Sequence, residues 1–193
     1  IVLFYTVIGG FRAACWTDFA QAIVMFIALV LFPAWAVFTT GGWSGMTETL
    51  AGNESGSLMT FWPEQTGMAF IGFLFGSGAL GINFGYPGQP HVLVRFLALR
   101  TRKEAIPGAV IAFTWGILVL WGAVTLGLLA RAMTIEGAEW TGPLADQLAA
   151  GATGAGETGL VLAAQGMLPG VLSGMVLAAV LAAICSTADS QLV

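Results

Sequence analysis

The 193-residue chain is 58% hydrophobic and 8% charged, with 27 glycines and a formal charge of −4, and its mean hydropathy is +0.89. A soluble domain of this size carries about 25% charged residues, so the composition excludes one and points to a lipid bilayer as solvent. There is no basic patch of the kind that binds nucleic acid, and Cys15 and Cys185 lie in or beside apolar stretches without metal-site spacing, where they read as small buried thiols.

In chain order, residues 1–8 read as the tail of a helix closed by Gly9 and Gly10. Residues 16–38 are apolar for long enough to span a bilayer, which takes about 20 residues. Residues 41–65 are polar and loop-like, with paired glycines, Asn53, and Trp62 before Pro63. Residues 67–99 are apolar but interrupted at 85–90. A charged turn at 100–104 leads into a further run, 106–133, with Pro107 near its first turn. Residues 134–165 are acidic and glycine-rich, with short helices expected around 144–150 and 159–165. The last run is 168–193. The expectation is an all-α membrane protein with about four spanning helices, one of them broken, forming a single transmembrane domain. The chain begins at Ile1, shows no signal peptide, and starts and stops in apolar sequence, so it reads as an internal fragment of a larger protein.

Charge placement sets the orientation, because short loops rich in Lys and Arg stay in the cytoplasm. Arg12 precedes the first full span, while Arg95, Arg100, Arg102 and Lys103 lie between the second and third. Only Arg131 falls at the opposite ends. Residues 100–104 are therefore expected inside, and the loops 41–65 and 134–165 outside, where Glu48, Glu54, Glu64, Glu136, Glu139, Asp146 and Glu157 gather. Trp35, Trp43, Trp62 and Trp140 fit an interfacial belt.

The interruption at 85–90 contains Gly85, Pro87, Gly88 and Pro90, which remove backbone donors and tolerate non-helical dihedrals. Two such pairs can unwind a helix, and unwound backbone at membrane depth is tolerated only where protein encloses it or it lines a cavity. Transporters use such discontinuous helices to present backbone groups to solutes and ions, and Tyr86 and Gln89 would offer an aromatic face and an amide. A plain kink that bends the helix around its neighbours fits the same residues.

The last run carries Ser186, Thr187, Asp189 and Ser190 on a single turn. Above them Gly166, Gly170, Gly174, Ala178 and Ala182 recur at every fourth residue, a small-residue stripe that suits close helix packing. Hydroxyls, carboxylates and carbonyls are the ligands that hard cations prefer. Isolated Ser and Thr residues, by contrast, often bond only to the carbonyl of residue i−4. Asp18 is the other intramembrane acid; close to a helix start, it can also serve as an interfacial cap. Ser186 to Ser190 lie about 26 to 32 Å below Pro169, which matches the depth of Asp18. Depth alone does not make the two sites lateral neighbours.

Residues 5–11 (YTVIGGF), 16–21 (WTDFAQ), 85–91 (GYPGQPH) with 94–96 (VRF), and 186–192 (STADSQL) together resemble the solute:sodium symporters, nearest the bacterial sodium/proline branch. The resemblance runs in order over nearly the whole chain. It implies a fragment of a LeuT-type inverted-repeat fold and sodium-driven uptake by alternating access. It makes the Ala183 carbonyl and the Ser186 and Thr187 hydroxyls sodium ligands, with the remaining ligands supplied by an earlier helix in the missing remainder of the transporter chain. Tyr86 and Pro90 would line the solute pocket; Ile82 stands where the family has an aromatic residue, a departure that bears on the solute. Asp18 matches a family aspartate on the cytoplasmic sodium path, and some members hold a second sodium between it and the positions of Ser186, Asp189 and Ser190.

His91 reads as a structural residue where the helix resumes, and Arg95 as a snorkelling anchor or a gate ion-pair partner. The spans hold no nucleophile–base pair and no metal-spaced His, Cys and acid cluster, so no enzyme is expected. The expected function is sodium-coupled import of a small amino acid, proline first, across the cell (inner) membrane. The alternatives are a solute-sensing or channel-like membrane protein of the same fold, or a sodium symporter for another small organic solute.

Overall fold

The computed structural model describes residues 2–52, 68, 71, 88–152 and 154–192, and its regular structure there is helical throughout. Helix α1 (Val2–Phe26) passes through a π-helical turn (Ile27–Leu31) into α2 (Phe32–Thr39). Gly9 and Gly10 interrupt the helix where expected, and two helical segments meet there. The chain bends at Gly10, whose φ of 56° and ψ of −157° lie outside the helical region, and then continues. A positive φ is open to glycine at little cost, so the bend sits where the sequence permits it.

The π turn has an identifiable cause. Pro33 has no N–H to offer the carbonyl of Leu29 in the α pattern, and the Phe32 N–H instead reaches the carbonyl of Ile27. The widened turn rests against α5 (Arg102–Glu136) at Gly122, where an added Cβ would lie 1.6 Å from the Leu29 carbonyl oxygen. Only a residue without a side chain fits that contact.

Part of the stretch expected as a loop at 41–65 is helical. The chain turns through Gly41 and Gly42, at φ of 96° and 76°, into α3 (Gly42–Ala51). This helix buries Met46 and Leu50, one turn apart, and leaves Glu48 exposed. Low overall hydropathy therefore hid an amphipathic helix with a narrow apolar face. Thr49 Oγ1 donates to Glu136 Oε1 at 2.8 Å, which ties α3 to the end of α5.

Helix α4 (Pro90–Leu97) opens on Pro90, with Gln89 extended before it (φ −70°, ψ 136°). Proline suits this first position because its missing N–H would have no partner there. Helix α5 begins four residues earlier than the apolar run suggests, so Pro107 lies inside it. Helices α6 (Gly142–Ala149) and α7 (Gly159–Met167) cover the stretches where short helices are expected, followed by α8 (Gly170–Leu192).

Among the described residues, three helical stretches are long and apolar enough to cross a membrane: Thr6–Thr39, Arg102–Glu136 and Gly170–Leu192. The fourth expected span, 67–99, lies mostly outside the described residues. The core gathers Ala28, Phe32 and Ala36 with Met46, Leu126, Leu129, Ala163 and Val176, where the π turn, α2, α3, α5, α7 and α8 meet.

The small-residue stripe is not one face. Gly166 belongs to α7, where it lies against Trp140. Along α8 a four-residue step overshoots a 3.6-residue turn by about 40°, so the stripe winds around the helix. Gly170, Gly174 and Ala178 are exposed, while Ser173, Val176, Ala179 and Asp189 form the buried side.

Candidate functional site

The hydroxyl-bearing turn of α8 packs against the half of α1 that follows the Gly10 bend. Asp18 and Ser186, matched in depth by residue counting, are in contact: Ser186 Oγ donates to Asp18 Oδ1 at 2.6 Å. The other carboxylate oxygen, Oδ2, accepts from Arg95 Nη2 of α4, also at 2.6 Å. The same Nη2 donates to Ser190 Oγ. Ser190 Oγ in turn donates to the Ser186 carbonyl at 2.8 Å, one turn back. Three helices thus converge on Asp18, whose side chain is 18% exposed.

Asp189 faces a second pair of hydroxyls. It is fully buried, and its Oδ1 accepts from Thr6 Oγ1 at 3.0 Å. Thr17 Oγ1 lies 3.4 Å from Oδ2 and also back-bonds to the carbonyls of Ala13 and Ala14 at 3.1 and 2.9 Å. A buried carboxylate is costly unless such donors surround it. In a straight helix Thr6 and Thr17 stand about 16 Å apart, beyond the reach of one carboxylate. The bend at Gly10 lies between them and brings both to Asp189.

Thr187 points elsewhere. It is exposed, and its Oγ1 donates to the Ala183 carbonyl at 2.9 Å. The Ala183 carbonyl and the Thr187 hydroxyl therefore sit side by side on an open face, about one third of a turn around from Ser186. Ile82 and Tyr86 lie outside the described residues, as do 85–87 of the break. Gln89 is exposed at the start of α4, and the helix begins at Pro90.

Sequence reasoning missed Thr6 and Thr17, because a threonine in an apolar run is unremarkable until a buried acid is found beside it. Gln21 is a further case. Among the described residues, its Oε1 is the buried side-chain oxygen without a hydrogen-bond partner, one turn beyond Thr17 on the same helix. A small cleft of about 10 Å³ opens between Asp18, Asp189, Arg95 and Ser190, with Phe11 and Val94 on its walls. That is room for about one water-sized particle. A larger cavity of about 360 Å³ lies away from these groups, among Leu126, Leu144, Leu148 and Leu160, with Arg131 and Glu157 at its edge.

Long apolar helices enclosing a carboxylate-and-hydroxyl cluster at one membrane depth define an α-helical integral membrane protein with a polar site between its spans. The chain belongs to the sodium:solute symporter family, whose model matches residues 1–193. That family consists of transporters rather than enzymes. The chain is 38% identical over 134 residues to the high-affinity proline transporter PutP of Bacillus subtilis (strain 168), covering 66% of this chain and 26% of that protein. It is 35% identical over 128 residues to the sodium/proline symporter of Staphylococcus aureus, covering 66% and 24%. The alignments thus span about a quarter of the length of these relatives. No solved structure matches the chain.

Proposed function

We propose that the full-length protein is a sodium-coupled secondary transporter that imports proline, or a closely similar small amino acid, by alternating access in a LeuT-type fold. The observation that carries this reading is the contact between Asp18 and Ser186, which gathers anionic and neutral oxygens from two spans at one depth. Such a set suits a small alkali cation, which binds oxygen ligands of low total charge and must leave again. The Ala183 carbonyl and the Ser186 and Thr187 hydroxyls form one sodium site, completed by oxygens from another helix of the transporter. Asp18, Asp189 and Ser190 line its cytoplasmic route or a second sodium position. Tyr86, Gln89 and Pro90, with Ile82 one turn earlier, line the solute pocket at the broken helix.

In this topology the Arg100–Glu104 turn is cytoplasmic and the segments 41–65 and 134–165 are extracytoplasmic, in the inner membrane of a bacterium. Proline is supported by the names of the relatives, a proline transporter and a sodium/proline symporter, and the departure at Ile82 makes a panel of small amino acids the right test. Proteoliposomes holding the full-length transporter are expected to accumulate radiolabelled proline against its gradient only when sodium is imposed outside. Equal uptake with potassium in place of sodium overturns the coupling. Equilibration without accumulation points instead to a channel-like protein.

A further inference from the structure

We infer that Arg95 is a tethered cation that competes with transported sodium for the oxygens of Asp18 and Ser190, and so closes the cytoplasmic end of the sodium route. The inference rests on the proposed role of Asp18 in that route.

The hydrogen-bond directions carry the argument. Ser186 Oγ spends its proton on Asp18 Oδ1, and Ser190 Oγ spends its proton on the Ser186 carbonyl. Both hydroxyls therefore keep their lone pairs for a positive group. At Ser190 that lone pair meets Arg95 Nη2, which also holds Asp18 Oδ2. A single guanidinium nitrogen thus bridges two oxygens that a bare cation would ligate. An arriving sodium and the guanidinium carry the same charge, so one can replace the other without a net change of charge in the cluster. Two positive charges on the same pair of oxygens repel each other, so occupancy by one disfavours the other.

The exchange is also physically easy. Arg95 is 51% exposed against 18% for Asp18, so the arginine is the less enclosed partner of the pair. One guanidinium nitrogen, and not a bidentate fork, holds the carboxylate, and that weaker geometry suits a reversible plug. The adjoining cleft of about 10 Å³ gives the departing or arriving ion a place beside the same carboxylate. Arg95 rides on α4, the helix that Pro90 opens, so a shift of the proposed solute helix moves the plug as well. That linkage lets solute binding and sodium release be ordered without a further element.

A plug engaged nine-tenths of the time weakens apparent sodium affinity about tenfold, because only the unplugged fraction binds. The test is binding of radioactive sodium, without solute, to the purified full-length transporter in lipid nanodiscs. Arg95→Gln is expected to lower the half-saturating sodium concentration by up to about tenfold, and Arg95→Lys by less. Asp18→Asn is expected to raise it, and adding Arg95→Gln to Asp18→Asn is expected to bring no gain. Native or weaker binding in Arg95→Gln, with Asp18→Asn still impaired, overturns the plug and leaves the sodium route standing. A gain from Arg95→Gln that persists alongside Asp18→Asn also overturns it. Native binding in Asp18→Asn removes the route itself, and the plug with it. Should Arg95→Gln fail to fold, Arg95→Lys decides alone: tighter binding supports the plug and unchanged binding ends it.

Discussion

Ser186 and Thr187 are neighbours in sequence and do different things in space. A helix turns about 100° per residue, so Ser186 meets Asp18 while Thr187 looks out from α8 and bonds to Ala183. The i−4 back-bond of Thr187 leaves its lone pairs free, so it blocks nothing that a cation would use. Ser186 holds the more demanding position, because its proton fixes Asp18 and its lone pairs remain for an ion. Removing both hydroxyls with Ser186→Ala and Thr187→Ala is expected to raise the sodium needed for half-maximal uptake about ten- to a hundredfold, the equivalent of one or two lost contacts to a charge. Sodium-activation curves of the full-length transporter measure this, and an unshifted curve removes these residues from the site. The polar turn itself was legible in the sequence, since oxygen-bearing residues are conspicuous in an apolar run. The difference between its two hydroxyls was not, because it depends on where α1 lies.

The first span shows how one element can be built from exceptions to helical rules. Gly10 bends it so that Thr6 and Thr17 meet one buried acid, and Pro33 opens a π turn one helical turn before itself. The Leu29 carbonyl at that turn is then packed against the backbone of Gly122. Gly122→Ala places a methyl group within bonding distance of that oxygen, and neither backbone can yield cheaply. Overpacking of this kind typically costs about 1–3 kcal/mol, so the variant is expected to melt at a visibly lower temperature in detergent. Gly116→Ala, where an added Cβ meets nothing within 4 Å, is the control and is expected to keep the native melting temperature. Equal melting temperatures for the two variants dismiss the proposed contact. Gly9 and Gly10 announced an interruption in the sequence; whether it closes the helix or bends it was decided by the partners on either side.

For the whole molecule, exposed apolar surface is the natural state of a protein whose solvent is hydrocarbon. Phe113 is 72% exposed and Val171 81%, values that would be costly in water and are ordinary against lipid or other helices. The orientation proposed for the spans can be checked with single cysteines in a full-length protein whose Cys15 and Cys185 are replaced. Ser44→Cys on α3 is expected to react with a membrane-impermeant thiol reagent in intact cells. Lys103→Cys, in the first turn of α5, is expected to react only after permeabilisation. The opposite pattern inverts the topology.

Hydropathy is a local sum along the chain, so the sequence by itself determined that the chain lives in a membrane and where its described spans run. It also marked the turn that bears the oxygens, and its motifs pointed to the symporter family that the family match then established. The first part of the 41–65 stretch was misjudged for the same reason, since an average over a segment cannot see the two buried residues, Met46 and Leu50, that make α3 a helix. Tertiary structure alone decided the lateral facts: that Asp18 touches Ser186 and Arg95, that a bend delivers Thr6 to Asp189, and that Gly170, Gly174 and Ala178 are left exposed on α8. Counting residues measures depth, but the angle at which each helix presents its face is set by packing between segments far apart in the chain.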